Sequence, residues 1–195
     1  ICSGRLAPIK AEVTPGLRRI QAIAICASVC PRSRATWFSL RTVSMTPRER
    51  YLAVLRGERP DFLPRIPIVM QFAAEYIGSN YGAFASDHRV LVEANLRCAA
   101  EFGFEQVSTI SDPYRETSGF GAAIEFDRDH GPICRHPPLE DNPDLATLRR
   151  PDPAQAPRMR DRIDAVRLYR ERIGDEYSVL GWVEGPAAEA ADLRG

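Results

Sequence analysis

Residues 106–116 read QVSTISDPYRE and mark a strand that ends at an acidic residue. Residues 107–110 are apolar, β-branched or small, a composition typical of a short buried strand. Pro113 has no backbone N–H and favours an extended residue before it, so the strand is predicted to end at Asp112. In parallel α/β proteins the loops after the strands form the ligand crevice. Asp112 is therefore a candidate catalytic carboxylate, and the alternative is that it only caps the following turn.

Helix and strand patterns alternate on both sides of this strand. A first helix is predicted from Thr46, the N-cap of a capping box with Glu49, and Pro47 stands at its first position. Gly57 is the expected end of that helix. The further predicted elements are a strand at 66–72, a loop or broken helix at 75–86, a helix at 87–103, a hairpin at 119–136, a helix at 158–173, a strand at 176–183 and a helix at 187–193.

This order of elements is that of an α/β protein with parallel strands joined by crossovers. Only three core strands are expected in residues 45–195, whereas a closed (β/α)8 barrel usually takes about 250 residues. Residues 45–195 are therefore predicted to form the N-terminal portion of a (β/α)8 TIM barrel, truncated after about the third strand. Residues 1–44 lack a helical or strand period and are predicted to be a disordered or non-native leader, although their arginine-rich composition superficially resembles a transit peptide.

Charge and composition exclude two classes of partner. Residues 1–44 carry seven basic residues and one acid, which leaves a net charge of −6 in residues 45–195. Residues 45–195 contain no stripe of basic residues, so nucleic acid is not expected as a partner. No apolar run approaches the roughly 18 residues of a transmembrane helix.

The chain has five cysteines without a repeating framework, which fits a reducing compartment and predicts a cytoplasmic protein.

Four motifs, in the same order, resemble those of one known family. They are MTPRERYLAVLRGERPD from Met45, the ISDPYRE strand end, a hairpin containing Gly131 and Pro132, and GWVEGPAAEAADLRG at residues 181–195. Together they span residues 45–195 and are similar to the N-terminal part of the uroporphyrinogen decarboxylase superfamily. That superfamily consists of (β/α)8 barrels. It includes the heme-pathway decarboxylase and corrinoid-dependent methyltransferases.

The resemblance implies roles for three residues. In the decarboxylase, an aspartate at the position of Asp112 accepts hydrogen bonds from pyrrole N–H groups and stabilises a positively charged intermediate. The decarboxylase clamps its substrate's carboxylates with an arginine-rich loop, but the matching residues 70–76 include Gln71 and no arginine. Asp192 stands where the decarboxylase has a tyrosine in the helix after its Gly-Pro motif. Gln71 and Asp192 are thus candidate substrate-binding residues, and the two departures favour the methyltransferase branch.

Three functions remain open on this basis. The favoured one is corrinoid (cobamide)-linked methyl transfer. The alternative is decarboxylation of uroporphyrinogen III to coproporphyrinogen in porphyrin and heme biosynthesis, and the third is a catalytically inert, incomplete barrel. The expected binding partner is a tetrapyrrole or a corrinoid, the latter also as carried by a corrinoid protein. A homodimer is a further expectation.

The cofactor depends on the branch. A decarboxylase of this family needs none, whereas the resemblance implies zinc and a corrinoid for a methyltransferase, because bound metal holds a thiol as thiolate at neutral pH. The family's zinc ligands are His and Cys residues expected mostly after residue 195. Within this chain His130, Cys134 and His136 are closely spaced. Such spacing does not by itself make a tetrahedral site, so a partly solvated hairpin face is predicted and no metal ligand is assigned.

Two further charged residues are candidates for substrate binding. Arg115 and its neighbour Glu116 follow Asp112, and they either line the pocket or pair with each other at the surface. Glu184 ends the third predicted strand. If Glu184 and Asp112 face one cavity, like-charge repulsion should raise the pKa of one of them. The alternative is that Glu184 caps the helix that follows Gly185.

Overall fold

Residues 44–195 are described in a computed structural model of the chain. The prediction of a leader at residues 1–44 therefore lies outside the described residues, apart from Ser44 itself, and stays a prediction. The helices of the described part are α1 (Pro47–Leu55), α2 (Met70–Tyr76), α3 (Tyr81–Ser86), α4 (His88–Phe102), α5 (Arg115–Gly119), α6 (Pro157–Ile173) and α7 (Pro186–Arg194), and the strands are β1 (Gln106–Ser108), β2 (Ala123–Glu125), β3 (Ile133–His136) and β4 (Ser178–Leu180).

The two core strands pair in parallel. β1 and β4 are in register with Val107 opposite Val179. The pairing continues one residue past β1, because the Thr109 amide donates to the Leu180 carbonyl at 3.0 Å. The predicted α/β class and the parallel pairing of these two stretches are confirmed. Since both strands run the same way, their carboxyl ends lie at the same edge of the sheet.

α4 and α6 bury their apolar faces against each other and against the sheet. Leu91 and Cys98 of α4 and Tyr169 of α6 are fully buried in one core cluster with Val107 of β1. Burying a leucine side chain stabilises the fold by about 1.5–3 kcal/mol. The Tyr169 hydroxyl donates to the Ser108 carbonyl at 2.9 Å, which ties α6 directly to the sheet. The core therefore holds the strand ends in place.

Local capping explains where the long helices begin and end. Thr46 and Glu49 form the predicted capping box at α1. The Asp87 side chain accepts from the Arg89 amide at the start of α4. α4 stops at Gly103, whose φ of 64° is costly for residues with a Cβ atom. The predicted helices at 87–103, 158–173 and 187–193 are confirmed, as is the antiparallel hairpin, formed by β2 and β3.

The predicted strand at 66–72 is wrong. Residues 66–69 form no strand, Val69 already has helical backbone angles, and Met70 begins α2. Pro67 has no N–H to donate to a neighbouring strand, which explains the missing ladder. Just before this segment, the Arg65 carbonyl accepts from the Glu105 amide at 3.0 Å. The stretch 75–86, predicted as a loop or broken helix, is the end of α2 followed by α3.

A buried ion-pair network joins α1 to the start of β1. Arg50 is 4% exposed, and its Nε lies 2.6 Å from Asp61 Oδ1. Its Nη1 donates to Glu105 Oε1 at 3.1 Å, and Glu105 is also buried. Removing one partner of such a pair would leave a buried charge unpaired, which is strongly destabilising. Among residues 44–195 no helix is long and apolar enough to span a membrane.

Candidate functional site

Asp112 lies just beyond the end of β1 and is buried, with 6% of its surface exposed. Its Oδ1 accepts from the Tyr114 amide at 3.1 Å and from Arg158 Nη1 at 3.0 Å. Its Oδ2 accepts from Ser111 Oγ at 2.5 Å and from Arg158 Nη2 at 2.7 Å. A carboxylate has about four lone-pair positions, so Asp112 is saturated by protein donors.

Two opposing effects act on the Asp112 carboxyl. Burial would raise its pKa, but the hydrogen bonds and positive charge of Arg158, helped by Ser111, hold the pKa below the usual value. Asp112 is therefore a fixed anion. The hydrogen bond from the Tyr114 amide to Asp112 is the turn-capping contact that was the alternative role for this residue. The ion pair between Asp112 and Arg158 is a second contact, made by a helix that is distant in the sequence.

Arg115 is buried at the start of α5 and holds the same loop from the other side. Its Nε and Nη2 donate to Ser111 Oγ at 3.2 and 3.0 Å. Its Nη1 donates to Asp161 Oδ2 at 2.8 Å. Surface pairing with Glu116, one of the two sequence alternatives, is therefore absent, because the guanidinium is turned inwards to Asp161.

Arg162 is the third guanidinium in this cluster. Its Nη2 donates to Ser111 Oγ at 3.1 Å. Its Nε and Nη1 atoms are buried and have no hydrogen-bond partner among the described residues. Burial, and then repulsion by Arg115, lower the pKa of Arg162 to about 9. The cluster thus contains three arginines around two aspartates, and two of the Arg162 nitrogens donate to no described residue.

Carboxylates form a second group at the same edge of the sheet. Glu184 follows β4 and its Oε1 accepts from Trp182 Nε1 at 2.9 Å. Burial, together with the neighbouring charge of Glu184, raises the pKa of Glu116, of Glu189 and of Asp192. These four residues, from α5, the β4 loop and α7, are called the acidic rim below.

The acidic rim revises the expectation for Glu184. Repulsion from Glu184 raises the pKa of the other rim carboxyls. The pKa of Asp112 is instead set by burial and by its neighbours, chiefly Arg158. Glu184 does not cap α7 either, because the N-cap is Gly185 and no side chain accepts from the first amides of α7. The charge of Glu184 thus acts on Asp192, whereas Asp112 and Arg115 are linked through the Ser111 hydroxyl.

Gln71 lies apart from both groups. It is exposed on α2, and its Nε2 donates to Glu75 Oε1 at 2.8 Å. A cavity of about 590 Å³ opens beside the acidic rim, between the loop after β1, the hairpin and the end of α7. Its lining includes Tyr114, Cys134 and Asp192.

The sequence profile described as "Uroporphyrinogen decarboxylase (URO-D)" matches residues 46–195. The chain belongs to the URO-D family. A search of the curated proteins found none that matches the chain.

A solved structure shares the URO-D fold seen here. A methyltransferase from Methanosarcina mazei superposes with a TM-score of 0.66 at 23% sequence identity, covering 77% of this chain and 45% of that chain. At this level of identity the likeness shows the fold alone. The chain thus spans less than half the length of the methyltransferase it resembles.

The described part of the URO-D domain has no donor set that fits a zinc ion. His130 Nδ1 is paired with Asp127 at 2.8 Å on the exposed hairpin, and it does not converge with Cys134 and His136. Among residues 44–195 the set that does converge is Asp87, His88 and Asp161. Asp161 is already committed to Arg115 and to the His88 ring, at 2.8 Å each, so its carboxylate oxygens are engaged by protein groups.

Sequence reasoning missed the residues that complete both groups. Arg158 lies 46 positions after Asp112 and Arg162 lies 51 positions after Ser111, so each reaches its partner only through the packing of α6. Their four-residue spacing at the start of a helix was the available signal, because residues four apart share one face of a helix. Glu189 likewise lies one turn from the start of α7 and accepts from Thr117 Oγ1 at 3.3 Å.

Proposed function

We propose that the full-length protein is a URO-D family methyltransferase that moves a methyl group between a cobamide and a thiol or other acceptor. One observation carries the proposal, which is the acidic rim at the carboxyl ends of β1 and β4. Uroporphyrinogen is a polyanion, and four carboxylates at the rim would repel it. The side chains of a cobamide are mostly neutral amides, which donate hydrogen bonds to carboxylates without that repulsion.

The state of Asp112 supports the same choice. In the decarboxylase the matching aspartate must accept pyrrole N–H groups, yet all four acceptor positions of Asp112 are taken by Arg158, Ser111 and Tyr114. The segment that corresponds to the arginine-rich loop has Gln71 bonded to Glu75 and adds no positive charge. The structural likeness to a methyltransferase agrees with this choice.

We assign binding roles only to residues of this chain. Asp192 and Glu184 of the acidic rim would accept amide donors of the cobamide, and Arg115 would keep the loop after β1 rigid. A cobamide, free or carried on a corrinoid protein, is the proposed partner. Because the described residues do not fit zinc, activation of the acceptor is not assigned to any of them.

We further propose that residues 45–195 are the first part of a larger barrel, truncated after about the third strand. A groove of about 480 Å³ runs along β4 and is lined by Val179 and Leu180 together with residues of α1 and α6. An open strand edge beside a groove is a place where another strand can pair. If this is so, these residues alone would be an inert, incomplete barrel.

The test compares the two chemistries in one preparation of the full-length protein. With methylcobalamin and a thiol under anaerobic conditions, we expect loss of the methylcobalamin absorbance and a methylated thiol detected by mass spectrometry. With uroporphyrinogen III, we expect no product that has lost carboxylates. Stepwise loss of carbon dioxide from uroporphyrinogen would overturn the proposal in favour of decarboxylation. Replacement of Glu184 and Asp192 by Gln and Asn should raise the KM for methylcobalamin.

A further inference from the structure

We propose that Arg158 is a positioning residue, whose guanidinium anchors Asp112 so that this carboxylate is a fixed charge and not an acceptor for substrate. The inference rests on the proposed function, in which the substrate does not use Asp112 as a pyrrole acceptor. It assigns to the start of α6 a part in shaping the strand-end site.

The contacts of Arg158 fit this role. Both terminal nitrogens meet the two Asp112 oxygens in a fork, at 3.0 and 2.7 Å. Such bidentate pairs fix orientation as well as charge. The side chain of Arg158 is 14% exposed and that of Asp112 is 2% exposed, so water competes little for either group. Nη1 also donates to the Tyr114 carbonyl at 3.1 Å, within the loop that Asp112 caps.

The hairpin helps to hold the Arg158 side chain. The guanidinium carbon lies 4.8 Å from the centre of the Phe126 ring, just after β2. A cation over an aromatic face is attracted to it, and the ring also limits how far the guanidinium can swing. Arg158 therefore connects three parts of the chain, namely the hairpin, α6 and the end of β1.

Among the described residues, Arg158 is the one arginine that bonds to the Asp112 carboxylate. The charged and titratable groups that face Asp112 are Arg158 and Arg162 of α6, Arg115 of α5, Tyr81 of α3 and Tyr114 of the loop. Arg115 and Arg162 bond to Ser111 Oγ and not to the carboxylate. Tyr81 donates to the Ser111 carbonyl. Loss of Arg158 would thus leave a buried carboxylate with two neutral donors.

The sign of the pH dependence follows from this arrangement. Because the pKa of Asp112 is lowered in the folded protein, the stability it contributes is present above its unfolded pKa of about 3.9 and is lost as the pH falls through the folded value. Without Arg158, the largest of the causes that lower this pKa is lost, whereas the effect of burial, which raises it, remains. The difference in stability between wild type and Arg158→Gln should therefore be largest near pH 7 and shrink below about pH 4.

The experiment measures thermal unfolding of the full-length protein from pH 3.5 to 8, without substrate. At pH 7 we expect Arg158→Gln to lower the melting temperature of the full-length protein by about 4 °C or more. Arg158→Lys keeps the charge but not the fork, so it should recover part of this loss. The control is Arg160→Gln on the same helix, whose partner Asp164 lies 3.1 Å away at the surface and which should change little.

Asp112→Asn provides the decisive comparison. In that background Arg158→Gln should lose its pH-dependent effect, because no carboxylate remains to titrate. An equal effect in both backgrounds, or equal effects of the Arg158 and Arg160 substitutions, would overturn the inference. If Arg158→Gln does not fold, Arg158→Lys takes its place in both backgrounds, with a smaller expected effect because the charge is kept. Since unfolding needs no substrate, an absence of methyl transfer would count against the proposed function alone.

Discussion

Replacing Arg162 by methionine should stabilise the protein. Burial lowers the pKa of Arg162 to about 9 from an ordinary 12.5. One pKa unit corresponds to about 1.4 kcal/mol, so keeping this group charged costs on the order of 5 kcal/mol. Two of its three nitrogens have no partner within residues 44–195 to offset that cost. Methionine has a similar volume and no charge to desolvate.

The expected gain is smaller than the burial cost. Arg162→Met also removes the hydrogen bond to Ser111 Oγ at 3.1 Å, and a bond to a charged group contributes about 1.5–3 kcal/mol. Replacing poorly compensated buried charges by apolar residues stabilises proteins by up to about 4 kcal/mol. A net gain of about 2–3.5 kcal/mol remains, which for a protein about twice this length corresponds to a rise in melting temperature of roughly 3–5 °C.

Calorimetry or dichroism of the full-length protein would measure this rise, with Arg160→Met as the matched control. Arg160 lies on the same helix at the surface, so its replacement should leave the melting temperature nearly unchanged. A fall of several degrees for Arg162→Met would refute the reasoning.

Three other substitutions probe the strand ends and the rim. Asp112→Asn should cost about 3–5 kcal/mol of stability, measured by urea unfolding. It should lower turnover by far less than the roughly 100-fold expected of a residue that stabilises charge at the reacting atoms. A 100-fold loss of turnover would instead place Asp112 at the reaction centre. Tyr169→Phe leaves the Ser108 carbonyl without the hydroxyl donor and should cost about 1–2 kcal/mol, and an unchanged midpoint would contradict this. The pKa of Glu189 is raised in the folded protein, so its charged form destabilises the fold. Glu189→Gln should therefore raise the melting temperature at pH 7 but not at pH 4. Equal shifts at the two pH values would contradict repulsion within the acidic rim.

Local sequence signals predicted most elements because their causes are local. The Thr46 capping box, the stop at Gly103 and the apolar stripe of α4 act within one or two helical turns, and all are present in the structure. The strand predicted at 66–72 failed because apolar composition alone does not make a strand. A strand exists only if a neighbour pairs with it, and Pro67 has no amide to offer one.

The sequence by itself determined the α/β class, the family motifs and the position of Asp112 after a strand, because spacing and proline chemistry are enough to set them. Only the tertiary structure decided what surrounds that carboxylate. Arg158 and Arg162 reach Asp112 and its neighbour Ser111 through the packing of α6, and the acidic rim gathers residues from α5, the β4 loop and α7. Charges far apart in the chain set each other's pKa only through distance and burial, which the folded core alone fixes.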